Sequence, residues 1–281
     1  MKSTITRKED GTISLHITIA AKDVKKTWDE VVTHIVKETT LQGFRKGMAP
    51  RDMVEKGLDK MQTQEEVLRK LLPVAYSASV TEHALKPVMS PRIHVEKIAD
   101  PSSQPEADWE FTAETCETPE VTLHAYKDAV KTITAKSKII VPGKEEAKGP
   151  NMDEVIKAVL DTAAVTVPAI LVDAEAERLL SQLLDEVKSL GLSLDQYLGS
   201  THKTIDEVKS EYRARAEQDI KFEFVLQKIS EEEKITVEKN EIEEALAKAQ
   251  SPEERKNLET NMYLLASILR QQKTLDFLRS L

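Results

Sequence analysis

A change of hydrophobic period near residue 20 constrains this chain more than any other feature. Ile13, Leu15, Ile17 and Ile19 alternate with Thr12, Ser14, His16 and Thr18, the period-two signature of a strand with one buried face. From Ala21 the period lengthens, and Val24, Trp28, Val31, Val32, Ile35 and Val36 fall on one helical stripe. A one-faced strand followed at once by a one-faced helix reads as the start of a small α+β domain.

The neighbouring segments extend this pattern. Residues 3–8 and the Asp10-Gly11 turn predict a hairpin with the first alternating strand. Pro50 suits the first position of a second helix. Thr63 with Glu66 reads as a capping box opening a third, whose stripe includes Val67, Leu68, Leu71, Leu72, Ala75 and Val80. Pro73 predicts a kink or break in it. Strands are expected near 88–98 and 109–117, separated by the turn DPSSQPEAD. Residues 1–117 therefore read as a small α+β domain.

Residues 118–150 show no long helical stripe and end in a Gly/Pro/Lys/Glu segment, so an extended linker is expected. From Asn151 the pattern is helical almost throughout, and 151–281 read as an all-α domain. Leu179, Leu180, Leu183, Leu184, Val187 and Leu190 form a stripe ended by Gly191. Ser193 with Gln196, and Thr204 with Glu207, are capping boxes for the next helices. Ser251-Pro252 marks another start, and a last helix carries Leu264, Leu265, Ile268, Leu269, Leu275, Phe277 and Leu278. At helical spacing most of these leucines are expected in the core.

Charge separates the halves. Residues 1–150 hold 23 Lys+Arg and 23 Asp+Glu, whereas 151–281 hold 17 and 26, so the net charge of −9 falls in the second half. Between Lys37 and Arg51 the balance reverses, with Lys37, Arg45, Lys46 and Arg51 against Glu38. A positive tip suits an anionic surface, whereas a DNA-binding face needs a broader basic field. Cys116 is the one cysteine, which precludes an intramolecular disulfide, and it is expected in a strand. The N-terminus lacks the apolar core of a signal peptide, and nowhere do about eighteen apolar residues run together. A cytoplasmic protein that does not span a membrane is expected.

Catalytic signatures are missing from the sequence. The six histidines stand in no metal-ligand spacing, and no phosphate-cradling glycine loop or GxSxG elbow occurs. The chain reads as a binding protein without catalytic residues, cofactor or metal.

The positive stretch Gln42-Gly43-Phe44-Arg45-Lys46-Gly47-Met48-Ala49-Pro50 is the tip of a helix-loop-helix. Its glycines permit tight turns and remove side-chain bulk from an approaching partner. Phe44 then projects as an apolar anchor while Arg45 and Lys46 pair with carboxylate or phosphate. The alternative is that Phe44 folds back onto its own helices and the cations are ordinary loop charges.

Gly43-Phe44-Arg45-Lys46-Gly47-x-x-Pro50 resembles the ribosome-binding signature of the trigger factor family, G-F-R-x-G-x-x-P, at the same place in a strand-helix-loop-helix order. Residues 109–121, 167–175, 192–199 and 235–242 are also similar to segments of that family. The resemblance covers about 1–141 and 152–281. With the extended linker read above, it implies a multidomain α+β architecture, an N-terminal α+β ribosome-binding domain joined through that linker to an all-α C-terminal chaperone domain. It also implies Gly43, Phe44, Arg45, Lys46, Gly47 and Pro50 as ribosome-binding residues. The implied partners are a large-subunit protein and RNA at the tunnel exit, and unfolded nascent polypeptides, with a homodimer as a further option and neither membrane nor DNA.

One departure is expected. Trigger factors usually carry an FKBP-like prolyl isomerase domain of roughly a hundred residues between those blocks, where this chain has only 119–151. Tyr126 is the sole aromatic from Thr112 to Gln196, too few for an aromatic-lined proline pocket. The expectation is an ATP-independent, ribosome-docked holder of nascent chains without isomerase activity. A ribosome-independent holdase and a residual prolyl isomerase are the alternatives.

Overall fold

A computed structural model describes residues 2–40, 43–99, 104, 106–137, 151–248 and 251–281. Gln42, most of the 100–105 turn and the 138–150 part of the expected linker lie outside the described residues. The chain divides into two compact units, Met1–Thr118 with Pro168–Ile170, and Pro119–Val167 with Leu171–Leu281.

The first unit is a helix-on-sheet sandwich. Strands β1 (Lys2–Arg7) and β2 (Thr12–Ile19) form the expected hairpin, with Gly11 at φ +86° in its turn. Helices α1 (Ala21–Glu38), α2 (Arg51–Gly57) and α3 (Lys60–Glu82) follow, then β3 (Arg92–Lys97) and β4 (Trp109–Cys116). The antiparallel sheet runs in the order β1-β2-β4-β3. Its inner face buries Ile13, Leu15, Ile17 and Ile19 against Val24, Trp28, Val31 and Val32 of α1 and Val67, Leu71 and Ala75 of α3. Each buried Val, Leu or Ile among them contributes about 1.5–3 kcal/mol by leaving water, so the two stripes hold the layers together. Trp109 and Phe111 meet edge to face with centroids 6.3 Å apart, and the Trp109 indole N–H donates to the Ala99 carbonyl at 2.9 Å.

Two local expectations differ from the structure. Helix α3 starts at Lys60 because Asp59 caps it, accepting from the Met61 and Gln62 amides. Thr63 is therefore already inside the helix, where its hydroxyl donates to the Asp59 carbonyl at 2.8 Å. Pro73 does not break α3, which runs from Lys60 to Glu82. Burial of Val67, Leu71, Ala75 and Ser79 on one face outweighs the hydrogen bond that proline cannot make.

The second unit corrects the reading of residues 118–150 as an extended linker. Strand β5 (Val121–Leu123) and helix α4 (Tyr126–Ser137) occupy its described part. Tyr126, Val130 and Thr134 recur every four residues and are all buried. Helix α5 (Met152–Thr162) follows, capped by Asn151, and strand β6 (Ala163–Val165) pairs antiparallel with β5. The rest is helical: α6 (Ala169–Ser189), α7 (Leu194–Thr201), α8 (Ile205–Glu232), α9 (Lys239–Ala247), α10 (Pro252–Thr260) and α11 (Met262–Ser280).

Both expected capping boxes, at Ser193 and Thr204, are formed. Gly191 ends α6 at φ +72°, and the following Leu192 N–H reaches back to the Val187 carbonyl, as a left-handed C-terminal turn requires. The largest core of this unit joins Tyr126 and Val130 to Val155, Val159, Val225, Leu226, Ile229 and Leu278. Two smaller clusters, around Leu179 with Ile220 and around Leu183 with Val208, zip α6 to α8. The Tyr126 hydroxyl donates to Glu233 at 2.9 Å, and the Lys127 ammonium pairs with the same carboxylate at 2.6 Å.

Candidate functional site

The loop after α1 is built by its glycines. Gly43 and Gly47 both adopt left-handed backbone, at φ +91° and +77°, a region that L side chains enter at a cost of roughly 1–2 kcal/mol. At Gly47 the requirement is doubled. A Cβ there would stand 3.0 Å from the Lys37 carbonyl oxygen, so the returning chain passes closely over the last turn of α1. The Gly47 amide donates to the Thr39 carbonyl at 3.1 Å, and the Met48 amide to the Arg45 carbonyl at 2.9 Å. Pro50 stands at the N-cap of α2, one residue before the position expected for it. Buried Ala49 and Val54 anchor the returning limb.

This scaffold presents the six sequence-selected residues on one continuous loop. Phe44 is 38% exposed and does not join the core cluster. The cations differ in a way that sequence reading missed. Lys46 pairs with Glu38 at 2.8 Å, an exposed contact that also holds the Glu38 carboxyl below its ordinary value. Arg51 is shared between Glu55 and Asp29, both at 2.5 Å. The Arg45 side chain has no ion-pair or hydrogen-bond partner among the described residues, which leaves its guanidinium available to an incoming acceptor. The Lys46 pair is solvent-screened and can exchange partners readily.

Sequence reading also missed three exposed methionines on the loop and the two helices that follow it, Met48, Met53 and Met61. Apolar side chains displayed around a basic loop mark a contact surface better than the cations alone. A usable signal was present, because the helical stripes leave these methionines out.

The second unit displays apolar groups in two places. Leu190, Leu192, Leu194 and Ile205 are exposed where α6, α7 and α8 meet, and Met262, Tyr263, Leu264 and Ile268 are exposed on α11. Leu179, Leu183 and Val187 are core, so the expected stripe divides between interior and surface. The groove between α8 and α11 is lined largely by polar side chains, among them Glu223, Gln227, Ser230, Arg270 and Gln271. Such a lining suits water better than a proline ring. Among the described residues no three His, Cys, Asp or Glu side chains are grouped to hold a metal ion, and no helix is long and apolar enough to cross a membrane.

Comparisons with known proteins agree with these observations. Residues 1–148 match the family model described as bacterial trigger factor protein, and residues 143–280 match that of the bacterial trigger factor C-terminus. The chain is 25% identical over 420 aligned positions to the trigger factor of Carboxydothermus hydrogenoformans, covering 99% of this chain and 98% of the relative. With 281 residues, the chain cannot fill that alignment, so many positions of the relative have no counterpart here. It is 33% identical over 165 residues to the trigger factor of Lactococcus lactis subsp. cremoris strain MG1363, covering 58% of this chain and 37% of that protein. The match to the trigger factor of Streptococcus pneumoniae strain Hungary19A-6 is 30% over 164 residues, again 58% and 37%. These two matches span little more than a third of the relatives' length. A solved structure described as "Promiscuous Substrate Recognition in Folding and Assembly Activities of the Trigger Factor Chaperone" shares the fold, with a TM-score of 0.65, 12% identity and coverage of 100% of this chain and 99% of that one.

Proposed function

Because the chain belongs to the bacterial trigger factor family, we propose that it is an ATP-independent cytoplasmic chaperone that docks beside the ribosomal tunnel exit through residues 43–50 and holds emerging unfolded segments on its C-terminal helices. One observation carries the docking half. A loop held by two left-handed glycines displays Phe44 beside an Arg45 guanidinium that is unpaired among the described residues. Phe44 supplies an apolar anchor and Arg45 a charge-assisted hydrogen bond to phosphate or carboxylate. Lys46 adds its charge when the partner displaces Glu38, and the contact weakens with salt.

Holding is assigned to the exposed residues at the α6–α8 turns and on α11. Burying about 400 Å² of apolar client surface supplies on the order of 10 kcal/mol gross, most of which association and ordering costs offset. The resulting grip is weak and reversible, and release needs no nucleotide. Isomerase activity is not part of this function. The two matched family models overlap at residues 143–148 and leave no intervening hundred-residue stretch for a separate catalytic domain.

A photoreactive phenylalanine analogue at position 44 tests the docking contact. It is expected to crosslink to a large-subunit component of vacant ribosomes and to lose that product at high salt. Crosslinking to unfolded clients in place of ribosomes would favour a ribosome-independent holdase. Acceleration of proline-limited refolding at substoichiometric protein would contradict the absence of isomerase activity.

A further inference from the structure

Six of the chain's seven methionines lie among the described residues, and they are unevenly placed. Met48, Met53 and Met61 are 74%, 56% and 80% exposed and lie on the candidate docking loop, on α2 and in the first turn of α3, respectively. Met89 and Met152 are half-buried, and Met262 on α11 is exposed. The local fold accounts for the exposure. Ala49 and Val54, the chain neighbours of Met48 and Met53, take the inward positions, and Met61 sits in the first turn of α3 with its amide on the Asp59 carboxylate.

We propose that Met48, Met53 and Met61 form an oxidative modification site, and that their conversion to sulfoxides weakens docking of the tip. The consequence for docking rests on the function proposed above, whereas the site itself rests on exposure. Peroxides are the class of oxidant. The thioether sulfur attacks one peroxide oxygen, the O–O bond breaks, and a sulfur–oxygen bond forms. Sulfur gives up two electrons, the peroxide is reduced by two, and with hydrogen peroxide the second oxygen leaves as water.

The product is polar where the thioether was apolar and deformable. Any contact that had desolvated the sulfur must then desolvate a strong hydrogen-bond acceptor. Cysteine does not compete for the oxidant. Cys116 is buried in β4, and burial pushes its thiol up to about 11, which leaves almost none of the reactive thiolate at neutral pH.

The test treats the full chain with hydrogen peroxide, quenches with free methionine, maps the oxidised peptides by mass, and then measures ribosome cosedimentation. Met48, Met53 and Met61 are expected to gain oxygen ahead of Met89 and Met152. Docking should weaken on the order of tenfold while the thermal melt stays in place. Each variant is scored against its own untreated form. The Met48→Leu/Met53→Leu/Met61→Leu protein should lose less than twofold on treatment, and Met262→Leu should remain as sensitive as the parent. Equal loss in the triple variant, a collapsed melt, or first oxidation at Met89 or Met152 would overturn the proposal. Failure of the untreated parent to sediment would refute the docking function, and with it the consequence for docking, while the peptide map would still decide the site.

Discussion

Gly47→Ala is expected to loosen the tip more than Gly43→Ala, although both positions have left-handed backbone. Alanine pays roughly 1–2 kcal/mol for that conformation at either site. At position 43 this is the whole cost, since an added Cβ meets nothing within 4 Å. At position 47 the Cβ would stand 3.0 Å from the Lys37 carbonyl oxygen and 3.4 Å from its Cα. The neighbour is helix backbone and gives way only by stretching the bond from the residue 47 amide to Thr39, 3.1 Å long in the parent. Crowding of this kind adds about 1 kcal/mol, or about fivefold in a local opening equilibrium. Native-state hydrogen exchange at the Met48 amide, which donates to Arg45 at 2.9 Å, reads that equilibrium directly. Protection should fall about tenfold in Gly43→Ala and about fivefold further in Gly47→Ala, with core amides such as those of Leu15 and Val31 unmoved. Equal losses in the two variants, or a matching loss in the core, would refute the account of the loop.

Two further predictions concern the first unit. The Glu117 carboxylate accepts from the Lys86 amide at 2.8 Å and from Arg7 at 3.0 Å, and these bonds, the backbone one foremost, hold it below the ordinary 4.5. Its contribution is therefore present above that pH and lost as pH falls through the depressed value, so Glu117→Gln should flatten the acid limb of the unfolding curve; an acid limb identical to the parent's would contradict this. Cys116, with its thiol pushed up to about 11 by burial, should resist alkylation at pH 8 in the native protein and react fully in denaturant, and rapid native labelling would show that β4 opens.

The parts of the fold that were legible in the sequence are those specified by local periodicity. Ile13 to Ile19 and Val24 to Val36 define their buried faces without reference to distant residues, and the Ser193 and Thr204 caps act within one helical turn. Helix α4 was missed because Thr132, Ile133 and Thr134 are poor helix formers and lie close to the Gly/Pro-bearing segment. Its stability comes from burying Tyr126 and Val130 against Val155 and Val159 of α5 and against Val225, Leu226, Ile229 and Leu278 much further along the chain. Strands β5 and β6, three residues each, are too short to show a period.

The candidate loop divides in the same way. Its glycines and Phe44 were readable as a motif. The pairing of Lys46 with Glu38 and of Arg51 with Asp29 was not, because those partners meet only when α1, the loop and α2 fold together.

Cosedimentation of the purified protein with vacant ribosomes across a salt series tests the central claim most directly, with a Phe44→Ala/Arg45→Ala/Lys46→Ala variant beside the parent. The account predicts salt-sensitive binding by the parent, its loss in the variant, and nearly superimposable thermal melts, since all three side chains are exposed. Equal binding by both proteins, or a large drop in the variant's melting temperature, would contradict it.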